Sequence, residues 1–139
     1  MRAIQWRTNP DGMLAVAGVH DGHVDQLRYD ETSLHLGIRQ PTGARIELTL
    51  SGAQEANLTL WNGSIVSEIY IWRVGDVPVG AAPDAGWNAL FADILSEKDR
   101  LSAAEKIVNR NPNAYLFQLD CSYGGSIACI ADGVSVSAE

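Results

Sequence analysis

Apolar residues recur at every second position through Leu34, Leu36 and Ile38, with His35, Gly37 and Arg39 between them. The same pattern returns through Ile46, Leu48 and Leu50, interleaved with Glu47, Thr49 and Ser51. A period of two sends alternate side chains to opposite faces, so each stretch reads as a strand buried on one face. Pro41-Thr42-Gly43 lies between them and supplies turn formers, so the two are predicted to pair as a hairpin. Upstream, Val24, Leu27 and Tyr29 break strict alternation, which marks a bulge in a strand over 23–29, and residues 30–33 supply the connecting turn. Downstream, Leu58 and Leu60 lead into Trp61, and Asn62-Gly63 offers the two left-handed positions of a type I′ hairpin turn.

The next stretch, 65–74, is apolar on both faces. Ile65, Ile69 and Ile71 fall on one side and Val66, Tyr70, Trp72 and Val74 on the other. Such a strand needs cover on both sides, which places it centrally, between a second sheet and the helical segment. Residues 75–86, rich in Gly, Pro, Ala and Asp, read as a loop, and then the period changes. Trp87, Leu90, Phe91, Ile94 and Leu95 have the spacing of a single helix face. Ser102 and Glu105 have capping-box spacing for a second short helix carrying Leu101, Ala104, Ile107 and Val108, ended by 109–113 with Pro112 inside it. Period two resumes with Tyr115, Phe117, Leu119 and Cys121. Gly124-Gly125 turns the chain, 127–130 returns, Asp132-Gly133 turns it again, and Val134 and Val136 close a three-stranded meander.

The expected fold is α+β and mainly β: an antiparallel meander sheet, sandwich or partly open barrel, with one helical segment over about 87–109 before a C-terminal three-stranded meander. The 139 residues are read as one domain, 1–139, with no repeat and no low-complexity tract. Ten basic against 17 acidic residues give a net charge of −7, with the basic ones scattered, which argues against nucleic acid and anionic membrane surfaces as partners. Two cysteines are too few for a disulfide framework, so the expectation is reduced thiols and a cytoplasmic location. The apolar run 13–19, with an Ala-x-Ala arrangement at Ala15 and Ala17, sits at the short end of a signal-peptide core, and nothing approaches the ~20 apolar residues of a membrane span.

Candidate chemistry is sparse. His20-Asp21-Gly22-His23 places two imidazoles around a carboxylate on a turn, and His35 on the next strand offers a third nitrogen. The ligand set is incomplete for zinc and Asp21-Gly22 is an ordinary turn dipeptide, so no metal and no cofactor is expected, and His20, Asp21 and His23 stand as candidate binding residues. Tyr123-Gly124-Gly125-Ser126 resembles a phosphate-cradling loop, but the following residues have the pattern of a strand rather than the helix such a loop needs. A two-residue turn there sets Cys121 opposite Ala128, so Cys121 and Cys129 are expected to be free, buried thiols with no His nearby to activate either. Asp25, Asp30, Glu31, Glu47, Glu68 and Asp120 are carboxylates without an identifiable partner. Glu68, on a strand read as buried, must be paired or protonated. Of four tryptophans, Trp72 and Trp87 belong to the core, while Trp61 and Trp6 are expected to be more exposed, with Trp61 a further candidate binding residue.

Val19-His20-Asp21-Gly22 leading into a strand, the paired strands up to Leu50, Asn62-Gly63-Ser64-Ile65-Val66 and the closing Ser122-Tyr123-Gly124-Gly125 form a pattern across most of the chain. It resembles small bacterial β-rich proteins of unassigned function, some of which are similar to immunity proteins of polymorphic toxin systems. The resemblance carries over no site residue. It implies a non-catalytic domain that binds a toxin-like protein partner; a homo-oligomer is the other partner expected. The alternative is a small-molecule or carbohydrate-binding module with a cavity between sheet and helix, and an enzyme comes third.

Overall fold

The computed structural model describes residues 1–16, 18–60, 64–76 and 81–139. Among them the strands are β1 (Arg2–Ile4), β2 (His23–Asp30), β3 (Ser33–Arg39), β4 (Arg45–Ser51), β5 (Gln54–Thr59), β6 (Val66–Arg73), β7 (Tyr115–Cys121), β8 (Ser126–Ala131) and β9 (Gly133–Ala138). Two α-helices, α1 (Ala81–Phe91) and α2 (Glu97–Arg110), follow a 3-10 turn at Val74–Asp76 and precede β7. The strands form two antiparallel sheets, ordered β1-β9-β4-β3-β2 and β5-β8-β7-β6. The fold is the expected mainly β member of the α+β class. No described helix is long and apolar enough to cross a membrane.

The predicted hairpin of β3 and β4 forms with Leu36 opposite Leu48 and Ile38 opposite Ile46, and β2 joins it with the anticipated irregularity between Val24 and Gln26. The Asn62-Gly63 turn lies outside the described residues. The strands on either side of it are not hairpin partners: β5 pairs with β8 and β6 with β7, at opposite edges of one sheet. The C-terminal meander is also corrected. β7 and β8 pair, but β9 leaves for the other sheet, where it lies between β1 and β4.

That departure has a physical cause at the corner where β4 runs into β5 and β8 into β9. Gly52 holds a left-handed φ of 59° and packs so close to Asp132 that a Cβ there would lie 2.6 Å from the Asp132 carboxyl carbon. Asp132 N donates to Ser51 O at 2.8 Å. Two neighbouring chain segments therefore bend together from one sheet to the other, which is how sandwich corners are built. Local alternation in the sequence is indifferent to which sheet a strand joins.

The alternating pattern fills two cores. Leu34, Leu36, Ile38, Ile46, Leu48 and Leu50 face Phe117, Leu119, Ile127 and Cys129 across the space between the sheets. On the other side of the four-stranded sheet, Tyr70, Trp72, Leu116 and Ile130 meet Trp87, Leu90 and Ile107 of the helices. β6 has the two-sided cover its composition demands, yet it is an edge strand rather than a central one. A shift between Val66 and Glu68 turns Val66 inward, with Ile69 and Ile71. Its free edge is sealed by the N-terminal segment: Leu14 N donates to Ile69 O at 2.8 Å, Ile71 N to Gly12 O at 2.9 Å and Asp21 N to Val66 O at 2.9 Å. Trp6 is less exposed than expected, because its indole N–H donates to Val134 O at 2.9 Å and its ring packs edge-on to Tyr115.

Helix α1 starts inside the stretch read as a loop. Pro83 is tolerated in its first turn, where a backbone N–H has no helical acceptor. Gly86 lets the helix approach β7 so closely that a Cβ would stand 2.8 Å from Gln118 Oε1 and 3.4 Å from Leu116 Cδ2. The apolar stripe also ends early, since Ala92 adopts a left-handed φ of 52° and leaves Ile94 89% exposed. Ser96, not Ser102, caps α2, accepting from Asp99 N at 3.1 Å. Ser96→Ala is therefore expected to cost about 1 kcal/mol in thermal or denaturant unfolding, whereas Ser102→Ala, in the exposed interior of α2, leaves the midpoint nearly unchanged.

Candidate functional site

The turn that carries the candidate residues His20, Asp21 and His23 is pinned to β6. His20 Nδ1 lies 2.5 Å from Ser67 O, its Nε2 lies 3.5 Å from Asp21 Oδ1, and both side chains are exposed. Asp21 takes a left-handed φ of 66°, and His23 opens β2 opposite Arg39, with an isolated bridge to Ile65. His35 is engaged elsewhere, 2.9 Å from Asp30 and 3.2 Å from Thr49 Oγ1. The described residues contain no group of three His, Cys, Asp or Glu placed to hold a metal ion. Trp61 lies outside the described residues.

The carboxylate singled out on the apolar strand has an unusual neighbour. Glu68 stands directly opposite Asp120 across the β6–β7 ladder and accepts a hydrogen bond from Tyr70 Oη at 2.8 Å. Burial chiefly, reinforced by that bond and by nearby carboxylates, pushes the Tyr70 hydroxyl up to about 12. Burial also raises Asp120 above its ordinary 3.8; the Gln118 amide, donating at 2.9 Å, opposes the shift and the Glu68 charge adds to it. A folded carboxyl that keeps its proton longer than the unfolded one stabilises the fold at low pH. That contribution is lost as pH rises through the raised value. Asp120→Asn keeps an acceptor for Gln118 and removes the like charge, so it is expected to raise stability at pH 7 by up to about 1 kcal/mol and to flatten the decline as pH rises above the ordinary carboxylate value of 3.8. Thermal unfolding across that range checks both.

The cysteines are free, Cys129 buried and Cys121 half-buried. The β7–β8 turn is longer than two residues: Gly124 and Gly125 both have left-handed φ, Asp120 is opposite Ser126, and Cys121 N donates to Gly125 O at 3.1 Å. This shifts the expected register and places Cys129 beside Phe117. Burial pushes the Cys129 thiol up to about 12 and raises Cys121 as well, with a bond to Ser64 partly offsetting the second. Both sulfurs are held protonated, the opposite of an activated nucleophile.

One surface cleft lies where the sandwich fails to close. β2 and β5 are outermost in their sheets, and between them opens an apolar cleft of about 450 Å³ lined by Leu27, Tyr29, Leu34, Ala53, Ala56 and Leu58. Leu27, Tyr29 and Leu58 are 43%, 56% and 39% exposed although each is paired with a core-facing residue: Leu36, Leu34 and Ile127. Tyr29 Oη donates to Ala53 O at 3.0 Å and fixes one end of the mouth to the corner. Glu31 and Glu55 flank this end with left-handed φ of 37° and 48°, a conformation costing an L-residue roughly 1–2 kcal/mol.

Among the described residues, the only backbone bond from β2 or β5 beyond their strand partners is Val24 N to Ser64 O, at 2.9 Å. The irregularities that blunt these edges sit at their beginnings, between Val24 and Gln26 and between Gln54 and Ala56. Gln26–Asp30 and Ala56–Thr59 remain regular edge strand.

Comparison with family models, curated proteins and solved structures gave no match. The geometry therefore stands alone as the guide to function.

Another hollow, of about 260 Å³, lies between the helices and the 3-10 turn. Val74, Trp87 and Val108 line it, beside the ion pair between Arg100 Nε and Asp84 Oδ1 at 3.0 Å. Neither hollow was legible in the sequence. Leu27 and Leu58 are 31 positions apart in sequence, and what brings them to one cleft is the Gly52 corner. The broken alternation at 24–29 was the one local signal, and it reported the bulge.

Proposed function

We propose that the chain is a non-catalytic protein-binding domain of the immunity-protein kind, which forms a stoichiometric complex with a toxin-like partner. The observation that carries this reading is the unclosed mouth between β2 and β5. Three large apolar side chains of the inner faces stand exposed there, and covering what remains open of each is worth about 1 kcal/mol. Contiguous exposed apolar surface of this kind marks interaction sites. The raised Cys121 and Cys129 thiols and the scattered imidazoles add no catalytic constellation. The small-molecule or carbohydrate reading is favoured by a different hollow, of about 540 Å³ between the N-terminal segment and β6, lined by Trp6, Trp72, Arg73, Asp76 and Tyr115, which falls within the ~300–1,000 Å³ of such sites.

The test is photo-crosslinking in cells that produce the chain, with a photoreactive residue at Leu58, Glu47 or Leu101 in separate variants. A discrete adduct of one chain with one partner protein is expected. Absence of any heterologous adduct from all three positions refutes the proposal. A thermal-shift screen with neutral sugars is expected to leave the midpoint unchanged; a saturable rise would favour the alternative.

A further inference from the structure

We propose that the mouth between β2 and β5 receives an extended segment of a cationic partner protein, inserted as a strand. This deepens the protein-binding reading above and rests on it. The fold treats its sheet edges unequally. The β6 edge is sealed by the N-terminal segment through Gly12, Leu14 and Asp21, and β1 is only three residues long. β2 and β5, of eight and six residues, keep regular stretches whose outward N–H and C=O groups meet no third strand among the described residues. Unsealed edges of this length are templates for strand addition. Here two of them flank one apolar cleft. A strand entering it gains backbone hydrogen bonds from an edge and places alternate side chains against Leu27, Tyr29 and Leu58.

The charge at the mouth selects the occupant. Glu55 lines it, and the exposed Asp30 and Glu31 directly follow its lining residue Tyr29. Arg28 is matched to Asp30 at 2.5 Å and Arg110 to Glu55 at 3.1 Å, so neither pair offers a free charge of either sign, and Glu31 leaves this group of five charges at a net −1. Glutamate occupies 31 and 55 on a left-handed backbone that favours glycine. With a net charge of −7 on the whole chain, a second copy is repelled and a segment alternating apolar with Lys or Arg residues is attracted.

The experiment selects a displayed random octapeptide library on the full chain. Enriched peptides are expected to alternate apolar and basic residues. A synthetic copy of one is expected to slow amide exchange at 26–30 or 56–59, and Leu27→Lys and Leu58→Lys are each expected to weaken it about tenfold or more. A dispersed amide spectrum for each variant separates loss of the site from loss of the fold. The inference is overturned by no enrichment, by peptides that are acidic or lack alternation, by protection confined to another surface, or by unchanged affinity in both folded variants. Protection of the mouth that grows with the chain's own concentration overturns it in favour of a second copy. Crosslinks to a partner from Glu47 or Leu101 alone, with no peptide selected, remove this inference and leave the protein-binding reading intact. Selected peptides with no cellular adduct remove the protein-binding reading and this inference with it.

Discussion

Phe117→Ala is expected to lower the free energy of unfolding by about 3–5 kcal/mol, the range for a large aromatic removed from a core that cannot collapse around the loss. Phe117 is fully buried, opposite Ile71 on one side and Cys129 on the other, and its ring projects into the space between the sheets. The Gly52–Asp132 corner ties the two sheets together, so neither can settle freely into the gap. Because typical domains hold only 5–15 kcal/mol, the variant should sit near the edge of stability. Urea unfolding followed by tryptophan fluorescence measures the effect. A loss below about 1 kcal/mol would mean that the inter-sheet layer is not close-packed as described.

Gly52→Ala is expected to cost about 2–3 kcal/mol, from the left-handed backbone and from contact with Asp132. The two causes separate in a double-mutant cycle. In an Asp132→Ala background the carboxyl is gone and only the residue-132 Cβ, 3.0 Å from the new Cβ, still presses on it, so the cost falls towards the backbone contribution of about 1–2 kcal/mol. Asp132→Ala alone also loses the bond from Asn111 Nδ2 to Asp132 Oδ1 at 2.5 Å, so the cycle, not the single variant, carries the result. Additive effects would show that the tight approach at the corner does not constrain the fold.

Local pattern made individual elements legible and left their partners hidden. Leu34 to Leu50 announced a hairpin because both strands and the turn are contiguous, and the structure has that pairing. Val134 and Val136 announced a strand equally well, but its membership in the other sheet depends on the bend at Asp132. The helix stripe was read too long because Ile94 and Leu95 keep the period after Ala92 has turned the chain, and read too late because Gly86 and Pro83 resemble loop residues. In β6, composition correctly demanded cover on both faces, but an edge sealed by Gly12 and Leu14 satisfies that demand as well as a central position does. The mouth was invisible for the same reason as the corner: it exists only between strands distant in sequence.

The most direct test of the mouth as the binding surface is the mass of the complex recovered with the chain from cells that produce it, measured by native mass spectrometry for the wild type and for Leu58→Lys. The account predicts a complex of one chain with one basic protein for the wild type, and the free chain for folded Leu58→Lys. A wild-type chain recovered alone, or a complex that survives Leu58→Lys unchanged, would contradict it.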